Sequence, residues 1–148
     1  MFDASPACAD VQVEDRETAR VTVVPRRKKL AIIGFATNTL HAVPWEDPSF
    51  ELWGMNQGYI NCVRRCDRWF EMHLPEAQAD LRDPEYGKFL ETVGIPIYMI
   101  RTMAAYPTSL RYPLERAIEY LGRDYFMSSA AYMLVLAALE GFEEIHLY

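Results

Sequence analysis

From Lys29 onward the chain is built of short apolar runs separated by longer segments with helical spacing. "KLAIIGFA" is continuously apolar from Leu30 to Ile33, the pattern of a strand buried on both faces of a parallel sheet. "SFELWGMN", "RWFEMH" (alternating in part), "IPIYMIR" and "EEIHLY" are four further strand candidates. Between them, Tyr86, Phe89, Leu90 and Val93 recur at i, i+3, i+4 and i+7, and Leu114, Ala117, Ile118 and Leu121 repeat that spacing. Each set forms one face of a helix. Pro113 suits a first helical turn, where its missing N–H costs nothing. "SSAAYMLVLAALE" reads as a wholly apolar helix, and a short helix is expected between Asn56 and Arg68. Gly94, Gly122 and Gly141 each follow the last periodic residue of a helix, where a left-handed stop is expected. Helix, glycine and strand in short succession predict an α/β domain with a mostly parallel sheet of about five strands.

Residues 1–27 lack any sustained period and read as a flexible tail, although "RVTVV" could add an edge strand. The domain is expected over 28–148. "RRKK" at 26–29 is most simply a solvated flank that keeps the first strand in register, with a nucleic-acid contact as the alternative. The net charge of −6 leaves no broad cationic face and argues against direct nucleic-acid binding. Three cysteines (Cys8, Cys62, Cys66) form no framework of spacings, which suggests a reducing compartment. The N-terminus lacks the apolar core of a signal peptide. The longest apolar run, Ala130 to Leu139, is about half what a bilayer requires. These features together read as a cytoplasmic protein that does not cross a membrane.

Open parallel sheets bind ligands beyond the carboxyl ends of their strands, so the residues following each strand are the candidates. Gly34, Phe35, Ala36, Thr37, Asn38 and Thr39 form a small-residue turn after the first strand. Such a turn can offer backbone N–H groups to phosphate, or it is a simple strand-to-loop turn. It lacks the G-x-G-x-x-G fingerprint and the P-loop lysine. Asn56 and Gln57 follow the second strand and can read a base edge or sugar hydroxyl; alternatively Asn56 caps the next helix. Ser128 and Ser129 open the apolar helix as cap and anion-site candidates. His73 ends the third strand, either as a structural residue or as an acid–base group. For the second role it needs a partner, and strand alternation is taken to turn Glu71 to the opposite face. Arg101 follows the fourth strand and suits a phosphate, a carboxylate or a structural ion pair. Cys62 and Cys66, one helical turn apart, read as buried helix thiols, since no fourth ligand accompanies them and His73; no metal is assigned. Glu46, Asp47, Asp80, Asp83 and Glu85 read as solvated loop acids.

"SSAAYMLVLAALEGFEEIHLY", "IIGFATNTL" and "MNQGY" together resemble, in the same order, three motifs of bacterial sialyltransferases of the Campylobacter type. "LWGMN" and "RWFEMH" are more closely similar to a W-G-x-N and R-W-F-E-x-H pattern of uncharacterised phage and prophage proteins. The resemblance covers roughly residues 29–148. It implies a Rossmann-like three-layer sandwich with a nucleotide site formed by Gly34–Thr39, Asn56 and Ser128–Ser129. The turn here has one glycine where that family has two. The family's catalytic histidine and lid tyrosines lie beyond the final strand, and His73 occupies no matching position. The chain is therefore expected to be a nucleotide- or nucleotide-sugar-binding domain of a phage-type, glycosyltransferase-like protein, truncated after Tyr148. No cofactor is required, and a pyrimidine nucleotide or nucleotide sugar is the expected ligand. The first alternative is an interaction module presenting Trp45, Tyr106 and Tyr112 to a protein partner. The second is a subunit of a nucleic-acid-modifying system.

Overall fold

A computed structural model describes residues 28–60, 64–74, 83–124 and 126–148. The expected tail with its "RVTVV" stretch lies outside these residues, as do Cys8, Cys62 and Asp80. All five expected strands form: β1 (Lys29–Ile33), β2 (Phe50–Met55), β3 (Arg68–Glu71), β4 (Ile97–Met99) and, last in the chain, β6 (Glu144–Leu147). An unexpected strand, β5 (Ser109–Arg111), precedes β6. It lies inside a segment read as loop because three residues between polar neighbours carry no hydrophobic run. Backbone bonds from Ile97 N–H to the Thr108 carbonyl and from Tyr112 N–H to the Met99 carbonyl fix its ends. The sheet runs β5-β4-β3-β2-β1-β6. It therefore has six strands among the described residues, and every neighbouring pair is parallel.

Three α-helices accompany the sheet among the described residues: α1 (Pro84–Thr92), α2 (Leu114–Leu121) and α3 (Ser129–Glu140). The Asp83 side chain accepts from the N–H groups of Glu85 and Tyr86, so this acid is the N-cap of α1 and not a free loop carboxylate. The short helix expected after Asn56 is a 3₁₀ turn, Asn56–Ile60. Cys66 lies in the irregular approach to β3, not on a helix. The stops at Gly94, Gly122 and Gly141 all have the expected positive φ.

Strand alternation sorts the core into two faces. Leu30, Ile32, Trp53, Met55 and Phe70 pack under α2 and α3 with Ala117, Met133, Leu136 and Ala137. On the other face, Ala31, Ile33 and Leu52 meet Val43 and Trp45 from the β1–β2 connection, and Trp69, Ile97 and Met99 meet Tyr86 and Leu90 of α1. Each such large apolar side chain removed from water stabilises the fold by about 1.5–3 kcal/mol. The result is an α/β Rossmann-like sandwich of three layers. Trp45, Tyr106 and Tyr112 are buried in it. This overturns the expectation that those rings face a protein partner: the loops that carry them fold back onto the sheet.

Charged side chains fix the amino edge. Lys28 and Lys29 pair with Glu143 and Glu144 beside β6 at 2.5 and 3.1 Å, the register role expected of the basic flank. Arg68 reaches Glu51 at 2.5 Å and Glu140 at 2.8 Å, and its guanidinium lies 4.9 Å from the Trp53 ring centroid. Burial is the largest influence on the Arg68 charge and works against it. The Glu140 hydrogen bond and the charges of Tyr98, Glu51 and Glu140 together outweigh it, so the group is held above its usual range.

The winding of the chain sets where the sheet opens. Connections from β1 through β5 pack on the α1 face, as Val43, Trp45, Tyr59 and Tyr106 show. The β5-to-β6 crossover, through α2 and α3, lies on the opposite face. Strand order reverses at β1, which lies between β2 and β6. The carboxyl end of β1 is where an open α/β sheet forms its ligand crevice.

Candidate functional site at the carboxyl edge of the sheet

Three of the expected elements meet at this edge. Asn56, immediately after β2, has φ 47, a left-handed conformation that Asn tolerates better than most residues. There its side-chain oxygen accepts a hydrogen bond from Ser129 Oγ at 3.2 Å, which ties the end of β2 to the start of α3. The 3₁₀ turn also packs on the β1 turn: a Cβ on Gly58 would lie 3.8 Å from both the Gly34 carbonyl and the Phe35 ring. The turn after β1, the turn after β2 and the first turn of α3 are thus contiguous. Gln57 is exposed beside them.

The donors at this edge are not all those expected. The Gly34 N–H is taken by the Tyr148 carbonyl at 2.8 Å, and the Thr39 N–H by the Ala36 carbonyl at 3.1 Å. Neither can hold phosphate as expected. The N–H groups of Phe35, Ala36, Thr37 and Asn38 have no protein partner among the described residues. The turn leads into a 3₁₀ turn, Leu40–Ala42. Ser128 caps α3: its Oγ accepts from the Ala131 N–H at 3.3 Å. The N–H groups of Ser129 and Ala130 are left without a protein partner among the described residues, at the positive end of a 12-residue helix. Replacing Ser128 with Ala should cost about 1 kcal/mol and lower the midpoint of thermal unfolding by ~3 °C. An unchanged midpoint would mean the cap is not formed in solution.

A second cluster lies at the ends of β3 and β4, and sequence reasoning missed its centre. Glu71 is fully buried. Its Oε1 lies 2.5 Å from His73 Nδ1 and accepts the His73 backbone N–H at 3.1 Å, while its Oε2 accepts the Tyr86 hydroxyl at 2.7 Å. The Tyr86 oxygen in turn accepts from Trp69 Nε1 at 3.2 Å. The expectation that Glu71 faces away from His73 is wrong, because residues i and i+2 of a strand share a face. The i, i+2 spacing in "RWFEMH" was the available signal. Arg101 is exposed two residues beyond β4 and makes no ion pair among the described residues. The structure does not bring Arg101 into hydrogen-bonding contact with the Asn56–Ser129 pair. Cys66 Sγ is 3.5 Å from the Leu52 carbonyl and 3.2 Å from that of Arg68. No group of three or more His, Cys, Asp or Glu among the described residues is placed to hold a metal ion.

Fold and edge together define an α/β parallel-sheet protein with donors gathered at the strand-order reversal. No family model matches the chain, and no curated protein or solved structure gives a significant match. No helix among the described residues is long and apolar enough to cross a membrane.

Proposed function

We propose that this chain is a nucleotide- or nucleotide-sugar-binding domain of a glycosyltransferase-like protein, with the ligand at the carboxyl edge between β1, β2 and α3. The observation that carries the reading is the Asn56–Ser129 hydrogen bond, because it joins the strand end and helix start that a nucleotide would bridge. In this reading the N–H groups of Phe35–Asn38 and of Ser129–Ala130 receive the phosphates. Asn56 and Gln57 address the sugar or base edge, and the half-exposed Phe35 ring offers a stacking face. The likeness of "IIGFATNTL", "MNQGY" and "SSAAYMLVLAALE" to the motifs of the Campylobacter-type sialyltransferases supports the same assignment, and the pyrimidine nucleotides are the first ligands to try.

Thermal unfolding in their presence tests it. A ligand that binds only the native state adds about 2.7 kcal/mol at a hundred times its Kd, worth ~8 °C for a chain of this size. Ser129→Ala, which removes the donor to Asn56, should weaken binding about tenfold. No stabilisation by any nucleotide would refute the reading.

A further inference from the structure

We propose that this chain forms a symmetric dimer through the open edge of β6, joining two sheets into one by antiparallel β6–β6 pairing. The inference stands apart from the nucleotide reading and does not depend on it. Its basis is the direction of the backbone groups in β6. The Glu144 N–H donates to the Lys28 carbonyl and the Tyr148 N–H to the Ile32 carbonyl, while the Tyr148 carbonyl accepts from the Gly34 N–H. Alternate residues of a strand turn their backbone groups to the same side. Glu144, His146 and Tyr148 therefore face β1, and Ile145 and Leu147 direct their N–H and carbonyl groups away from it. β6 ends the strand order, and these outward groups have no protein partner among the described residues. The side chains beside them are apolar. Ile145 packs at the margin of the core under α3. Leu147, two residues on and so on the same face, is 61% exposed. Leu134 is exposed as well, on the flank of α3 opposite Tyr132, whose ring meets Tyr112 on the α2 side.

An unpaired strand edge invites pairing with another chain, and proteins guard such edges with proline, charge and short strands. β5, at the other end of the sheet, is guarded in each of these ways. It has three residues, lies between Pro107 and Pro113 and carries Arg111 in an ion pair with Glu115. Its Ser109 N–H is already taken by the Tyr106 carbonyl at 2.9 Å. β6 contains no proline, and the side chains beside its outward groups are Ile145 and Leu147. Among the described residues, the strand that complements this edge is β6 itself. A two-fold axis at His146 sets Ile145 of each copy opposite Leu147 of the other. In an antiparallel pair such opposed residues can exchange both N–H···O bonds, so the two pairs satisfy every outward N–H and carbonyl of Ile145 and Leu147 in both copies. Their aliphatic side chains meet on the α3 face, where directly opposed apolar pairs stabilise a sheet. On the other face Glu144 of each copy stands opposite Tyr148 of the other, so the two carboxylates are not brought together. Each Glu144 keeps its own Lys29 at 3.1 Å. The same patch serves both copies, so the assembly closes at two.

Sedimentation velocity of the full chain over a concentration series, with amide hydrogen exchange at the same concentrations, tests the proposal. A reversible dimer is expected, with the Ile145 and Leu147 amides exchanging more slowly as the dimer fills. Leu147→Lys should weaken dimerisation about 100-fold, roughly tenfold for each of the two leucines withdrawn. Leu147→Pro removes an outward N–H, leaves the β1 ladder intact and should have a comparable effect. Leu147 is exposed, so the lysine variant keeps the core, and its unfolding midpoint at monomer concentrations should match that of the wild type. A chain that stays monomeric at millimolar concentration overturns the proposal. A dimer that is unaffected by both variants, or that leaves the Ile145 and Leu147 amides unprotected, overturns it too, since another surface then joins the copies. A monomer in which these amides are protected also overturns it, because another segment of the same chain then occupies the edge.

Discussion

Replacing Arg68 with Met is expected to destabilise the fold by about 3 kcal/mol, seen as a fall of ~10 °C in the midpoint of thermal unfolding. Arg68 pairs with both Glu51 and Glu140, whose side chains are 13% and 22% exposed. Glu51 also accepts from Trp53 Nε1 at 2.8 Å, so it cannot turn to solvent without stranding the indole. Removing the guanidinium takes the Arg68 charge away from two largely buried carboxylates, and that is the costly half of a buried ion pair. One further result follows from this cause. Glu51→Gln and Glu140→Gln, added to the Arg68 variant, should recover most of the lost stability. A loss under about 1 kcal/mol would class the cluster with ordinary surface ion pairs.

Gly54→Ala should cost about 3 kcal/mol, the upper part of the range for overpacking a core. A Cβ at this position would lie 2.2 and 2.6 Å from Trp69 Cζ3 and Cε3, and 3.0 Å from Cys66 Sγ. Gly54 sits directly opposite Trp69 in the β2–β3 register. The indole fills the space a side chain would take, and it is fully buried and anchored to the Tyr86 hydroxyl. It cannot swing away as the end of a flexible chain would. The clash is specific, so Trp69→Leu, which removes the offending ring atoms, should make Gly54→Ala much less costly than it is alone. Equal costs in the two backgrounds would place the effect in the backbone instead.

Gly54 illustrates what the sequence carried and what it did not. The apolar runs KLAII and FELWGM announce β1 and β2 because strands covered on both faces must be continuously hydrophobic. That Gly54 makes room for Trp69, 15 residues later, depends on strand register, which no local pattern encodes. β5 escaped for a related reason: Ser109–Arg111 is held by backbone bonds, and only Ser109 of the three is buried. The helices and their glycine stops were legible because spacing and punctuation are local. At the edge, strand ends rich in Thr, Asn and Ser pointed to convergence, and the Asn56–Ser129 bond joins two of them across 73 residues. Which N–H groups stay open was not legible, since Gly34 is consumed by Tyr148 through the β1–β6 pairing. The aromatic loops misled because Trp45, Tyr106 and Tyr112 look alike in sequence whether a loop faces water or folds onto the sheet.

The central claim is that a nucleotide sits where β1, β2 and α3 meet. Titrating the ¹⁵N-labelled chain with pyrimidine nucleotides while following backbone amides tests it most directly. Saturable shifts at Phe35–Asn38, Asn56, Gln57, Ser129 and Ala130, with the amino edge around Arg68 unmoved, are the predicted result. No saturable shift at millimolar nucleotide, or shifts confined to another part of the molecule, would contradict it.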